Sequence, residues 1–356
     1  MAVKIIRQPK KIVLLGSATS AAALRAGPER APAALRAAGL ADRLNTAGFE
    51  VADHGDTATQ VFQPDDEHPR ARNVPAILKS LNDLRPRVEV AVKTGALPLI
   101  VSGDCISVLA AVAGTRRYYR NVSLMYVDRD ADLNVPATTP SGCIDGMVIS
   151  HVIGRGAPEL VRFWGEPPLV REPDVALFGF ERLDQPEEQY LVSSPLRRHP
   201  ALEVSRVGAA AAARLALERV HAAKNEFVLH FDVDVISSQE FPATNFPGEG
   251  GLSLHEVRDA LRVFAVQPNL GAVVVAGYNP ELDPQGEWAR RLVDLLVEVL
   301  AVRLETELGD AAAGVAPAAA VSSSTSSSEA PRPEPESAAD SARDMQEPPK
   351  PDSILS

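Results

Sequence analysis

Short runs of β-branched and other apolar residues alternate with helical stretches along most of this chain, and that alternation limits the possible folds more than any other feature. The runs predict strands at Ile12–Leu15, Phe49–Asp53, Pro98–Val101, Ser123–Val127, Val175–Phe180, Leu202–Val207, Glu226–Phe231 and Ala272–Ala276. Between them, helical patterning covers Pro32–Leu44, Ala76–Thr94, Ala209–Ala223, Leu254–Phe264 and Gly286–Leu304. Continuously apolar strands belong in a sheet covered on both faces. The expected class is therefore α/β, a three-layer α-β-α arrangement around a mostly parallel sheet of about eight strands. Ligands of such sheets sit beyond the carboxyl ends of the strands, so acids that directly follow a strand matter most.

Two such clusters stand out. Asp128-Arg129-Asp130-Ala131-Asp132 follows Ser123–Val127, and Asp232-Val233-Asp234 follows Glu226–Phe231. Alternate residues of an extended segment share a side, so each cluster projects its carboxylates together, and Arg129 points the other way. Crowded carboxylates suppress one another's ionisation unless they bind cations. Oxygen-rich ligation favours Mn²⁺ or Mg²⁺. Two other readings of an Asp-x-Asp motif remain open: a pair of acids in a surface turn, and a phosphatase with Asp128 as nucleophile. The phosphatase also needs a downstream Lys and acidic loop, for which no segment stands out.

Composition narrows the partners. Lys and Arg number 36 against 47 Asp and Glu, a formal charge of −11, which offers no footprint for nucleic acid or an anionic membrane and suits a small-molecule substrate. Cys105 and Cys143 are the two cysteines, too few for a disulfide framework, which points to a reducing, cytoplasmic setting. The apolar run at Ile12–Leu15 breaks at Gly16, too early for a secretory signal, and reads as a strand. Residues 1–308 are expected to form the α/β domain. From 309 to 356 the chain turns to Ala, Ser, Pro and Glu and is expected to be a disordered tail.

In order and spacing, several segments resemble the arginase/agmatinase/formimidoylglutamase (ureohydrolase) family. They are Gly27-Pro28 leading to Leu35-Arg36 and Gly39-Leu40, Asp53-His54-Gly55-Asp56, Pro98-Leu99-Ile100-Val101-Ser102-Gly103-Asp104-Cys105, and Tyr126-Val127-Asp128-Arg129-Asp130-Ala131-Asp132-Leu133-Asn134. Further on come Thr138-Thr139-Pro140-Ser141-Gly142-Cys143-Ile144-Asp145-Gly146-Met147, Phe231-Asp232-Val233-Asp234, Pro242-Ala243-Thr244 and Tyr278-Asn279-Pro280. The resemblance implies two metal ions, usually Mn²⁺ though Mg²⁺ or another divalent ion would serve, bridged by a hydroxide that attacks a guanidinium or amidine carbon. It also implies a homo-oligomer.

By the same resemblance Asp128, Asp132, Asp232 and Asp234 are metal ligands. Cys105, Asp130 and Asp145 stand where the family has histidines. Asp130 can ligate as an anion and join the catalytic group. Cys105 is either a ligand or a buried, inert thiol. Asp145 takes the place of a proton-transferring histidine, or caps a helix. Asn134 and Ser141 match substrate-contacting positions, Cys143 replaces an Asn there, and Gly277 replaces the carboxylate that holds a guanidinium. Free arginine is thus disfavoured as substrate. The expected function is metal-dependent hydrolysis of a non-peptide C–N bond; the alternative is a catalytically silent relative that binds or regulates. His230 reads as a core histidine near the second Asp cluster, and His151 as a weaker candidate for the pocket wall.

Overall fold

Both faces of the first strand, Lys11–Ser17 (β1), are apolar because both are covered. Ile12 and Leu14 join one hydrophobic core, while Val13 and Leu15 join another. The computed structural model, which describes residues 5–220 and 225–313 with side chains to 305, continues this division through seven more strands. These are Glu50–Asp56 (β2), Leu97–Ser102 (β3), Val122–Val127 (β4), Val175–Phe178 (β5), Arg197–His199 (β6), Glu226–Asp232 (β7) and Leu270–Ala276 (β8). They form one eight-stranded sheet in the order β2-β1-β3-β8-β7-β4-β5-β6. Every pairing is parallel.

The first core lies under the helices Ala31–Ala37, Leu40–Thr46, Ala201–Val207, Ala209–Arg219, Leu254–Ala265 and Glu287–Ala313. On the opposite face, the second core lies under Val74–Lys93, Val108–Arg116, Val148–Val152, Pro158–Val161 and Gln185–Ser193. The three-layer α/β expectation is met. Of the tail expected from residue 309, residues 309–313 instead continue the helix Glu287–Ala313, while positions 314–356 lie outside the described residues, as does His221.

Two expected elements differ. The stretch Leu202–Val207 is helix, not strand: Ala201 and Val204 are buried three positions apart, whereas Leu202 and Val207 face solvent. The strand of that region is instead the three-residue β6 at the sheet edge. The expected helix Pro32–Leu44 is divided at Gly39, whose φ of 86° ends one helix and admits the next.

The site depends on the central strands. β4 and β7 lie side by side with Tyr126 opposite His230 and Val127 opposite Phe231, and β7 pairs β8 with Asp232 opposite Ala276. The residues that leave β4 and β7 at their carboxyl ends are therefore neighbours despite the hundred or so positions of chain between them.

Candidate metal centre and active site

The two Asp clusters organise themselves in the same way. Asp128 Oδ1 accepts the backbone N–H of Asp130 at 2.8 Å, and Asp232 Oδ1 accepts that of Asp234 at 2.8 Å. Each first Asp thus fixes its own turn with one oxygen and leaves the other for the space between the strands. Asp132 adopts a left-handed backbone with φ of 50°, and the Tyr126 hydroxyl donates to its Oδ2. Burial pushes the carboxyl groups of Asp128, Asp132 and Asp234 well above the usual range, and neighbouring carboxylates push them further. The Asp232 carboxyl is also raised by burial, against a hydrogen bond from Cys105.

Cys105 follows β3 and opens a short 3₁₀ turn. Its Sγ lies 2.7 Å from Asp232 Oδ2 and 4.0 Å from Asp128 Oδ2. Asp145 Oδ1 accepts the backbone N–H of Cys105 at 2.8 Å, so it caps the turn at Cys105. Burial, then the charge of Asp104, raises the Asp145 carboxyl well above its ordinary value.

Two residues in the site carried little sign in the sequence. Arg182 follows β5, and its Nη2 donates to Asp130 Oδ2 at 2.6 Å and to Asp234 Oδ2 at 2.7 Å. Its charge and hydrogen bonds oppose the desolvation of both acids. His230 is fully buried, stacks on Tyr126 with ring centroids 4.4 Å apart, and places Nε2 3.7 Å from Asp128 Oδ2. Neither of its ring nitrogens has a hydrogen-bond partner, and burial lowers its pKa to about 3. A period of two from Asp232 was the available signal, since it places His230 on the same face of β7. His151, by contrast, serves the core: Nδ1 meets the Met147 carbonyl at 2.7 Å and Nε2 accepts the Ala157 N–H. Arg129 is held by Glu181 at 2.7 Å and by the Glu249 carbonyl.

Among the described residues two groups of donor atoms lie mutually within 4.8 Å: those of Cys105, Asp128, His230 and Asp232, and those of Asp128, Asp130 and Asp234. Asp132 belongs to neither, because its carboxylate is turned to Tyr126. All of the acids open into a cavity of about 540 Å³ whose wall includes Asn134, Ser141, Cys143, Asp145, Asp184, Glu187 and Phe246. Asn134 donates to Asp184 at 2.8 Å, Ser141 Oγ accepts the Cys143 N–H at 3.1 Å, and the Cys143 thiol donates to the Ala22 carbonyl. Asp184 and Glu187 hold each other's backbone N–H in a capping box, and Glu187 also accepts the Leu133 N–H. Gly277 closes the floor: its φ is 83°, and a Cβ there would fall 2.0 Å from Asp232 Oδ1.

The model of the arginase family matches residues 10–301. The chain belongs to that family. The arginase of Brevibacillus brevis is 28% identical over 297 residues, covering 83% of this chain and 99% of that protein. The crystal structure of arginase from Bacillus cereus superposes with a TM-score of 0.75 at 26% identity, covering 82% of this chain and 98% of that one. The formimidoylglutamase of Bacillus subtilis shares the fold at 18% identity, with a TM-score of 0.67 and coverage of 84% and 88%. Against this background, the Asp clusters of this arginase-family chain sit where the sheet architecture places a ligand site. Among the described residues no helix is long and apolar enough to cross a membrane.

Proposed function

We propose that this chain hydrolyses a non-peptide C–N bond of a guanidino, amidine or related amide substrate with the help of a divalent metal ion. The convergence of the β4 and β7 carboxylates with Cys105 at the wall of one cavity, with the buried His230 donor beside them, carries this reading. The donors fit an ion, because a fully buried imidazole with both nitrogens unpartnered faces three ligand-type side chains. Cys105, Asp128, His230 and Asp232 would hold it, with Asp130, Asp132 and Asp234 beside them. A bound divalent ion activates water near neutral pH and offsets charge that develops at the attacked carbon.

The chain's own residues supply the rest. Asp145, held at the Cys105 N–H and raised in pKa, is the group proposed to take a proton from the attacking water and return it to the leaving nitrogen. Asn134, Ser141 and Cys143 on the wall orient the remainder of the substrate. Gly277 presents no carboxylate, and the space beside it belongs to Asp232, which favours a substrate other than free arginine. We further propose a cytoplasmic homo-oligomer, whose assembly light scattering of the full chain would check.

The test is a screen for release of urea, ammonia or formamide from ω-guanidino acids, guanidino amines and N-formimidoyl amino acids, using metal-loaded protein with Asp232→Ala beside it. Turnover lost in the variant is expected. A metal-bound protein that turns over none of these compounds would overturn the reading. It would favour a non-catalytic binding protein, for which the Arg182 side chain between Asp130 and Asp234 is the specific observation.

A further inference from the structure

The donors grouped at the carboxyl ends of β3, β4 and β7 are not all of one kind, and the Arg182 cation already stands beside them. We propose that this chain binds one divalent ion of the zinc class through Cys105, Asp128, His230 and Asp232, and that the Arg182 guanidinium takes the position of a second ion between Asp130 and Asp234. The inference rests on the metal-dependent reading above and narrows it.

The four donors of the first group lie within 4.8 Å of one another, and all four residues are buried. A tetrahedral ion with bonds of roughly 2.0–2.3 Å brings its ligands within about 3.3–3.8 Å of each other, so small side-chain rotations close the set. His230 supplies the independent observation. It is wholly buried, its ring plane is fixed by stacking on Tyr126 at an interplanar angle of 10°, and neither nitrogen is partnered. Burying an imidazole in this way is costly unless something takes its lone pair. Its Nε2 lies 3.7 Å from Asp128 Oδ2, too long for a hydrogen bond and a natural span for two ligands of one ion. A sulfur, an imidazole and two carboxylates make a borderline-soft set that suits Zn²⁺ or Co²⁺, whereas Mn²⁺ and Mg²⁺ prefer more oxygen and higher coordination.

Arg182 sets the stoichiometry. One nitrogen of its guanidinium donates to Asp130 Oδ2 and Asp234 Oδ2 together, at 2.6 and 2.7 Å, which engages one oxygen of each carboxylate and places a positive charge between them. A guanidinium does not lose its proton in a protein, so this positive charge is permanent. It is anchored further by a hydrogen bond from Nη1 to the Phe246 carbonyl and by backbone pairing of its own residue with Asp130. A second ion would have to displace this anchored charge.

The experiment is to load the full chain with Co²⁺, record its absorption spectrum, and measure metal content by mass spectrometry after equilibration with equal Zn²⁺ and Mn²⁺. One zinc per chain is expected, together with a thiolate-to-cobalt charge-transfer band in the near ultraviolet. Cys105→Ser should abolish the band. His230→Gln should weaken zinc binding by more than the roughly 10–100-fold that loss of a merely supporting residue costs. Arg182→Met should raise the metal content from one to two. The wild-type spectrum and stoichiometry need no variant to fold, and circular dichroism verifies those that are used. Two Mn²⁺ per chain without a thiolate band would overturn this inference and leave the hydrolase reading standing. No bound divalent ion of any kind would overturn both.

Discussion

Replacing Gly277 with Ala should loosen the centre from below. The backbone there has a φ of 83°, and a left-handed conformation costs a residue with a Cβ roughly 1–2 kcal/mol. The new methyl would also fall 2.0 Å from Asp232 Oδ1 and 2.6 Å from Asp232 Cγ, so the buried carboxylate must move. Relief of such overpacking costs roughly 1–3 kcal/mol more. The sum is roughly 2–5 kcal/mol. Unfolding entropy is about 2.1 cal/mol/K per residue, or about 0.6 kcal/mol/K for a domain of about 300 residues, so the Tm should fall by about 3–8 °C. Because Asp232 is the group displaced, metal affinity should fall as well. Differential scanning calorimetry of the metal-free protein and a chelator competition measure the two effects separately. An Ala variant that melts and binds metal as the wild type does would refute the claim that Gly277 is there to make room for Asp232.

Two further outcomes follow from the buried titratable groups. Asp145→Asn keeps an oxygen that can accept the Cys105 N–H but cannot act as a base, so kcat should fall by about 10²–10⁴-fold with metal content unchanged; loss of metal instead would make Asp145 a structural support. Burial holds His151 at a pKa of about 4, below the 6.5 of an exposed histidine, so the unfolded chain binds the extra proton. Its contribution is complete above pH 6.5 and is lost as pH falls from there towards 4, for roughly 3 kcal/mol in all. His151→Gln should flatten that part of a urea-denaturation pH series, and an unchanged slope would show that His151 titrates normally.

Strands apolar on both faces were plain in the sequence. β1, β3, β4, β7 and β8 could be drawn from continuous runs because their side chains fill two cores, one on each side. β6 was hidden because Arg197–His199 is a three-residue edge strand that owes its place to β5 rather than to its own composition. Leu202–Val207 misled for the opposite reason, since its apolar residues are largely on the solvent side of a helix. At the site, the carboxylates were legible as residues that leave parallel strands. Arg182 was not, because only the folding of the segment after β5 over β4 brings it to Asp130 and Asp234. His230 lay between these cases: its place on the strand was readable, but its missing hydrogen-bond partners belong to the tertiary structure.

The strand order has a consequence for how the molecule is made. β7 and β8 follow the other six strands of the sheet in the chain, yet insert between β3 and β4, which have no pairing with each other. Without β7 and β8 the other strands have no pairing that joins β2-β1-β3 to β4-β5-β6, and the inner edges of β3 and β4 would carry unpaired backbone groups. A nascent chain that stalls before β8 would leave those edges open to aggregation, with Cys105 and Asp128 on separate parts of the sheet. Closing the middle of the sheet brings Cys105, which follows β3, to Asp128, which follows β4, and to Asp232, which ends β7, so the proposed metal capture would report that the two halves of the sheet have joined.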